Sequence, residues 1–169
     1  MNVLVVDYRM CNLNSVRRGL ENCGASVEVS SDPSRLSEAS AIVLPGVGSF
    51  ADGMRNLRAA GWEAPLRQAV FKEGVPLLGI CLGMQLLADR GEEGGESKGP
   101  GLIPGEVVRL KAGALQERIP HMGWNEVRFT KKNPIFEAIP DSTDFYFVHS
   151  FHFIPKDAAH AAATTPYCG

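Results

Sequence analysis

No apolar run in this sequence is long enough to cross a bilayer, and no block of like charge interrupts it. With 17 Lys and Arg against 19 Asp and Glu the formal net charge is −2. Neither a nucleic acid nor a membrane surface gains electrostatic support as a partner. The four cysteines, Cys11, Cys23, Cys81 and Cys168, lack CxxC spacing. That argues against structural zinc, and no metal or other cofactor is expected. Internal repeats and low-complexity tracts are missing too. The start carries no basic segment of the secretory kind, because Asn2-Val3-Leu4-Val5-Val6 runs straight into a strand. These absences lead us to expect a soluble, cytoplasmic protein whose thiols stay reduced. The 169 residues suit one domain, 1–169, able to bury most of its apolar surface.

What is present in the first half is alternation. Val3 to Val6 is a continuous apolar run, as in a strand covered on both faces. Asn12 is placed to cap a helix over Leu13 to Cys23, which Gly24 stops. Ser26 to Ser30 reads as a second strand and Asp32-Pro33-Ser34 as a helical turn. Ala41 to Leu44 is a third strand, ending in Pro45-Gly46-Val47-Gly48. Helices follow over Met54 to Ala60 and Glu63 to Lys72, and Val75 to Ile80 is the fourth strand. This order predicts an α/β fold with a doubly wound, mostly parallel, flavodoxin-like sheet. Sites in such sheets form beyond the carboxyl ends of the strands, where Asp7, Pro45 to Gly48 and Cys81 all fall. From Asp89 the texture changes. Gly91 to Gly105 holds six glycines and reads as a loop. Short strands over Val107 to Leu110, Glu126 to Phe129, Phe145 to Val148 and Phe151 to Ile154 are expected to extend the sheet in antiparallel fashion.

The fourth strand runs into Gly79-Ile80-Cys81-Leu82-Gly83, with an apolar helix expected at once. This is the cysteine form of a nucleophile elbow. Gly79 and Gly83 leave room where strand and helix nearly touch, and a helix N-terminus beneath Cys81 favours thiolate over thiol. The alternative is a buried cysteine that merely packs. A nucleophile of this kind needs an oxyanion site and a base. The N–H of Leu82 supplies one oxyanion donor. Pro45-Gly46-Val47-Gly48, which by itself could be a plain β-turn, is the candidate for the second, since its glycines let one peptide flip at little cost.

Pro45-Gly46-Val47-Gly48-Ser49-Phe50, Gly79-Ile80-Cys81-Leu82-Gly83-Met84-Gln85, His121-Met122-Gly123-Trp124-Asn125 and Tyr146-Phe147-Val148-His149-Ser150 occur in that order. Together they resemble the class I, triad-type glutamine amidotransferases. The elbow belongs to that whole class, while the other three strings are similar to the glutaminase subunits of imidazole glycerol phosphate synthases. The resemblance implies that Cys81 attacks the side-chain amide of L-glutamine, giving a glutamyl thioester and ammonia. It implies that the N–H groups of Val47 and Leu82 hold the oxyanion. Gly48, Gln85, Glu93 and Ser150 then line the substrate pocket. A (β/α)8-barrel cyclase subunit would receive the ammonia, with Asn12, His121 and Trp124 near that interface. On the residues alone, His121 and Trp124 could equally be a core cluster, and Asn12 simply a helix cap. His149 is expected to be structural rather than the base.

Two departures from the family pattern stand out. Arg9 and Cys11 occupy positions where the family has glycines, which brings strain if the backbone there needs positive φ. Family members also continue past the equivalent of Thr164-Thr165 into a strand bearing a His-x-Glu pair, the general base and its orienting carboxylate. No His-x-Glu occurs in residues 1–169. Three readings follow: a shortened glutaminase subunit with little activity as it stands, a paralogue feeding ammonia to a sugar-amidating synthase, or a form that only binds the partner.

Overall fold

The computed structural model describes residues 1–113 and 117–168. Its first half is built from β1 (Asn2–Val6), α1 (Leu13–Asn22), β2 (Ser26–Ser30), a 3-10 turn at Pro33–Glu38, β3 (Ala41–Gly46), α2 (Phe50–Ala59), α3 (Glu63–Phe71), β4 (Leu77–Cys81) and α4 (Leu82–Gln85). The four strands form one sheet in the order β2-β1-β3-β4, every pair parallel. Alternation along the strands divides the core. Leu4, Val6 and Leu44 pack with Phe50, Met54, Leu57, Trp62 and Leu66 of α2, α3 and their connection. On the opposite face Val3, Val5 and Val43 lie beneath Leu13, Val16 and Leu20 of α1. This two-sided burial is what the uninterrupted apolar runs required.

Two helix boundaries differ from expectation. α2 begins at Phe50 rather than Met54 because Ser49 caps it: Ser49 Oγ accepts from the Asp52 N–H at 3.2 Å. The helix after the elbow is a single turn. Its last bonds tighten to three-residue spacing, Leu87 N to Met84 O and Ala88 N to Gln85 O. The carbonyls of Leu87 and Ala88 then accept from Ile103 and Gly101 of the glycine-rich segment, so that segment rather than more helix satisfies them.

The second half contains β5 (Arg90–Gly91), β6 (Ser97–Lys98), β7 (Gly105–Arg109), β8 (His121–Phe129), β9 (Thr143–His149), β10 (Phe151–Pro155) and β11 (Ala163–Thr164). These strands do not extend the first sheet as expected. They form a four-stranded sheet, β10-β7-β5-β6, and a three-stranded one, β11-β8-β9. For β7 and β8 the reason lies in the edges. β7 is paired on one side with β5 and on the other with β10, and β8 is filled by β9 and β11. Neither has a free edge to offer β4. β4 therefore closes the parallel sheet as an edge strand, with Leu78 and Ile80 exposed. Among the described residues no helix is long and apolar enough to cross a membrane.

Candidate active site

Cys81 is the last residue of β4 and the residue before α4, and it adopts φ 54°, ψ −119°. A non-glycine residue in that region is held there by its surroundings. The flanking glycines show how. A Cβ on Gly83 would drive into the Leu44 carbonyl, and one on Gly79 would lie 2.5 Å from the Met84 Cα. Strand, turn and helix approach so closely that only hydrogen fits at both places. The outcome is a thiol presented to solvent at the sheet's carboxyl end, with Cys81 exposed and Leu82 behind it fully buried. As first residue of α4, Leu82 has an N–H with no partner inside the helix.

The neighbouring strand brings the second loop alongside, with Gly46 in register with Cys81. The Val47 N–H, however, is turned away. It donates to the Met10 carbonyl at 2.8 Å, so in this conformation it does not serve the expected oxyanion role. Gly48 follows at φ +125°, where a Cβ would meet the Met10 methyl at 2.6 Å. Met10 thus secures the loop twice, by its carbonyl and by its side chain. Its own segment is strained: Arg9 sits at φ 66°, braced by a hydrogen bond from its N–H to Asp7 Oδ1 at 2.9 Å. Cys11, the other replaced glycine, is not in the positive-φ region.

The residues expected around the substrate lie on three segments. Gln85 is buried, and its side-chain Nε2 donates to the Phe151 carbonyl at 3.0 Å. Ser150 is next in sequence to that carbonyl and half-buried; its own carbonyl accepts from Leu110. Glu93 is half-buried and makes no ion pair among the described residues, and burial pushes its carboxyl above the usual range. Its carbonyl accepts from Ala51 at 3.0 Å, while Gly94 packs on Ser49. The segment is thereby anchored to the first turn of α2, directly after Gly48.

The family model for class I glutamine amidotransferases matches residues 4–167. The chain belongs to the class I glutamine amidotransferases. It is 49% identical over 165 residues to the imidazole glycerol phosphate synthase subunit HisH of Moorella thermoacetica, covering 98% of this chain and 77% of that protein. Against the HisH subunit of Syntrophotalea carbinolica it is 44% identical over 170 residues, covering 98% and 82%. The solved structure of a glutamine amidotransferase from Thermotoga maritima superposes with a TM-score of 0.70 at 22% identity, covering 99% of this chain and 68% of that one. That last likeness bears on the fold.

In this amidotransferase the β8–β9 ribbon separates two residues that sequence placed together at an interface. Trp124 is 72% exposed, whereas His121 is buried at 4%. The difference is one of strand face, since neighbouring positions alternate and an odd offset crosses the ribbon. His121 is enclosed, stacked on Tyr167 at 3.7 Å and Phe147 at 4.5 Å. It is not available to a partner in this structure. Its contacts fix the tautomers. His149 Nδ1 faces the Phe151 carbonyl at 2.9 Å and must donate, so its Nε2 accepts from His121 Nδ1 at 3.1 Å. His121 Nε2 then accepts from the Asn125 amide at 3.3 Å. Burial, followed by the nearby His149, holds the His121 imidazole below its ordinary range. His149 has both nitrogens engaged, consistent with a structural role. Asn12 caps α1, accepting from the Ser15 N–H at 3.4 Å, and is exposed.

Two features of this amidotransferase escaped the sequence. Tyr8 reads as part of a turn, yet it is buried with its hydroxyl against Gly46. Burial, with Cys11 and Cys81 adding to the same effect, raises that phenol well above its usual value. The Phe151 carbonyl, which joins Gln85 to His149, is a backbone group with no side-chain signature.

Proposed function

We propose that this amidotransferase is the glutaminase subunit of an imidazole glycerol phosphate synthase. It hydrolyses L-glutamine to glutamate and ammonia, and the ammonia passes to a (β/α)8-barrel cyclase subunit. The observation that carries the reading is the strained Cys81 on its glycine-flanked elbow. The relatives at 44% and 49% identity support the choice of synthase. A setting that keeps thiols reduced suits four free cysteines, and the cytoplasm is such a setting.

In this reading Cys81 Sγ adds to the carboxamide carbon of glutamine. The Leu82 N–H receives the developing oxyanion, joined by Val47 once its peptide turns from Met10. Collapse breaks the C–N bond, ammonia leaves carrying the proton that the thiol gave up, and water hydrolyses the glutamyl thioester to glutamate and the free thiol. Glu93 pairs with the substrate's ammonium: a desolvated carboxylate without a cation is relieved by one. Gln85, whose Nε2 is committed to Phe151, offers its carbonyl end, and Ser150 and Gly48 complete the pocket.

The partner surface in this proposal is the outer face of the β8–β9 ribbon. Met122, Trp124, Tyr146 and Val148 are 62%, 72%, 57% and 55% exposed. They form two facing pairs, Met122 with Val148 and Trp124 with Tyr146, whose rings lie 5.7 Å apart. A contiguous apolar and aromatic patch of this kind is the mark of a docking site. Asn12 would flank it from the start of α1.

A second reading rests on one observation: among the described residues no histidine hydrogen-bonds the Cys81 thiol. A polypeptide of residues 1–169 alone would then bind the partner and release glutamate slowly. Glutamate release with and without a barrel cyclase and its ribulosyl-aminoimidazole ligand tests both. Stimulated release supports the glutaminase. Partner binding without release supports the second reading. Failure to bind any such barrel overturns the proposal.

A further inference from the structure

Tyr8 is 1% exposed, and among the described residues its hydroxyl has no hydrogen-bond partner. A buried, unpaired phenol is destabilising and calls for a reason. The group adjoins Gly46: a Cβ there would collide with the Tyr8 oxygen, while also meeting the Gly83 N–H and the Leu82 side chain at 3.0 Å. The Tyr8 hydroxyl thus lies against Gly46, beside the elbow. Its raised pKa keeps the proton on oxygen, so it is a donor without an acceptor.

We propose that Tyr8 is a positioning residue for the oxyanion loop, whose hydroxyl donates to the Gly46 carbonyl when the Gly46–Val47 peptide turns. The inference rests on the oxyanion reading above. A trans peptide carries its N–H and C=O on opposite sides. Turning it therefore releases Val47 from Met10 and redirects the Gly46 carbonyl at the same time. The lost Val47–Met10 bond is matched by a new one from Tyr8, which leaves the two loop conformations close in free energy. Such near-balance is what a loop switched by a partner needs. Gly46 is glycine for the same reason, since any side chain would displace the phenol.

Tyr8→Phe removes the oxygen and keeps the ring. Exchange of the Val47 amide in the 169-residue chain, followed by NMR, reports the turned population directly. The substitution is expected to slow that exchange about fivefold, the factor that an average net hydrogen bond carries. The melting temperature should stay level or rise, because an unpaired polar group has gone. Unchanged Val47 exchange would overturn the assignment. So would faster exchange with a lowered melting temperature, which would mean that the hydroxyl holds the latched state. Labelling of wild-type Cys81 by a diazo-ketone glutamine analogue, run alongside, separates the two levels. Absent labelling counts against the glutaminase reading, whereas the exchange result bears on Tyr8.

Discussion

The Val47 N–H donates to the Met10 carbonyl, 2.8 Å away, rather than toward Cys81, which stands in register with its neighbour Gly46. In the proposed reading this leaves the nucleophile and one oxyanion donor in place while the second donor is latched. On that proposal the enzyme would be restrained until something moves the Asp7–Asn12 segment or turns the Gly46–Val47 peptide. Within that segment Arg9 and Asn12 are exposed, where a partner can reach them.

Gly48→Ala is expected to strain the latched loop, because alanine disfavours φ +125° and its methyl would crowd Met10. A destabilisation of about 1 kcal/mol, or roughly 3 °C in melting temperature, is expected. The ratio of glutaminase rates with and without partner should fall. A lowered melting temperature with an unchanged ratio would show that this loop is not the switch.

For Glu93→Gln the expected effect is on substrate binding. Loss of a charge-assisted contact to the ammonium should raise KM for glutamine at least tenfold and change kcat little. The raised Glu93 pKa adds a pH signature. In the wild type KM should rise as pH falls through that pKa and the carboxylate gains a proton; in the variant this dependence should vanish. A kcat loss at constant KM would contradict the role.

Trp124→Ala tests the docking face. The side chain is largely exposed, so stability should hardly change. As a central aromatic anchor it should weaken partner binding by about 2 kcal/mol, or roughly thirtyfold, measured by calorimetry. Unaltered affinity would move the interface elsewhere.

Two histidines, His121 of β8 and His152 of β10, give a pH prediction for the fold. His121 and His152 both have imidazoles held below their ordinary range, chiefly by burial. Just below about pH 6.5 the unfolded chain therefore binds more protons than the folded one, and stability rises with pH across that window. The melting temperature should be level above about pH 7 and fall as pH drops below about 6.5. His121→Gln should flatten the slope. An unchanged slope would assign the effect to other groups.

Much of this was legible because short motifs dictate their own geometry. Glycines at 79 and 83 required a close strand–helix approach, and the structure supplies it against Met84 and Leu44. The parallel order of the first four strands followed from continuous apolar runs separated by helices. What could not be read depends on pairings remote in sequence. Whether β7 joins the first sheet is decided by β5 and β10 filling its edges. Whether Val47 faces Cys81 depends on a carbonyl at Met10, and a carbonyl leaves no trace in a sequence. His121 and Trp124 differ in burial because they lie an odd number of residues apart on a ribbon, a distinction that needs the strand to be recognised from His121 onward.

The central claim, that Cys81 is the nucleophile toward glutamine, is tested most directly by treating the protein with a diazo-ketone analogue of glutamine and mapping the adduct by peptide mass spectrometry. Cys81 is exposed on its elbow, as Cys23 is at the C-terminal end of α1, while Cys11 is half-buried with its thiol pushed up by burial and then by Asp7. The account predicts that Cys81 is modified first and that free L-glutamine protects it. Modification of Cys11 or Cys23 ahead of Cys81, or labelling that glutamine does not slow, would contradict it.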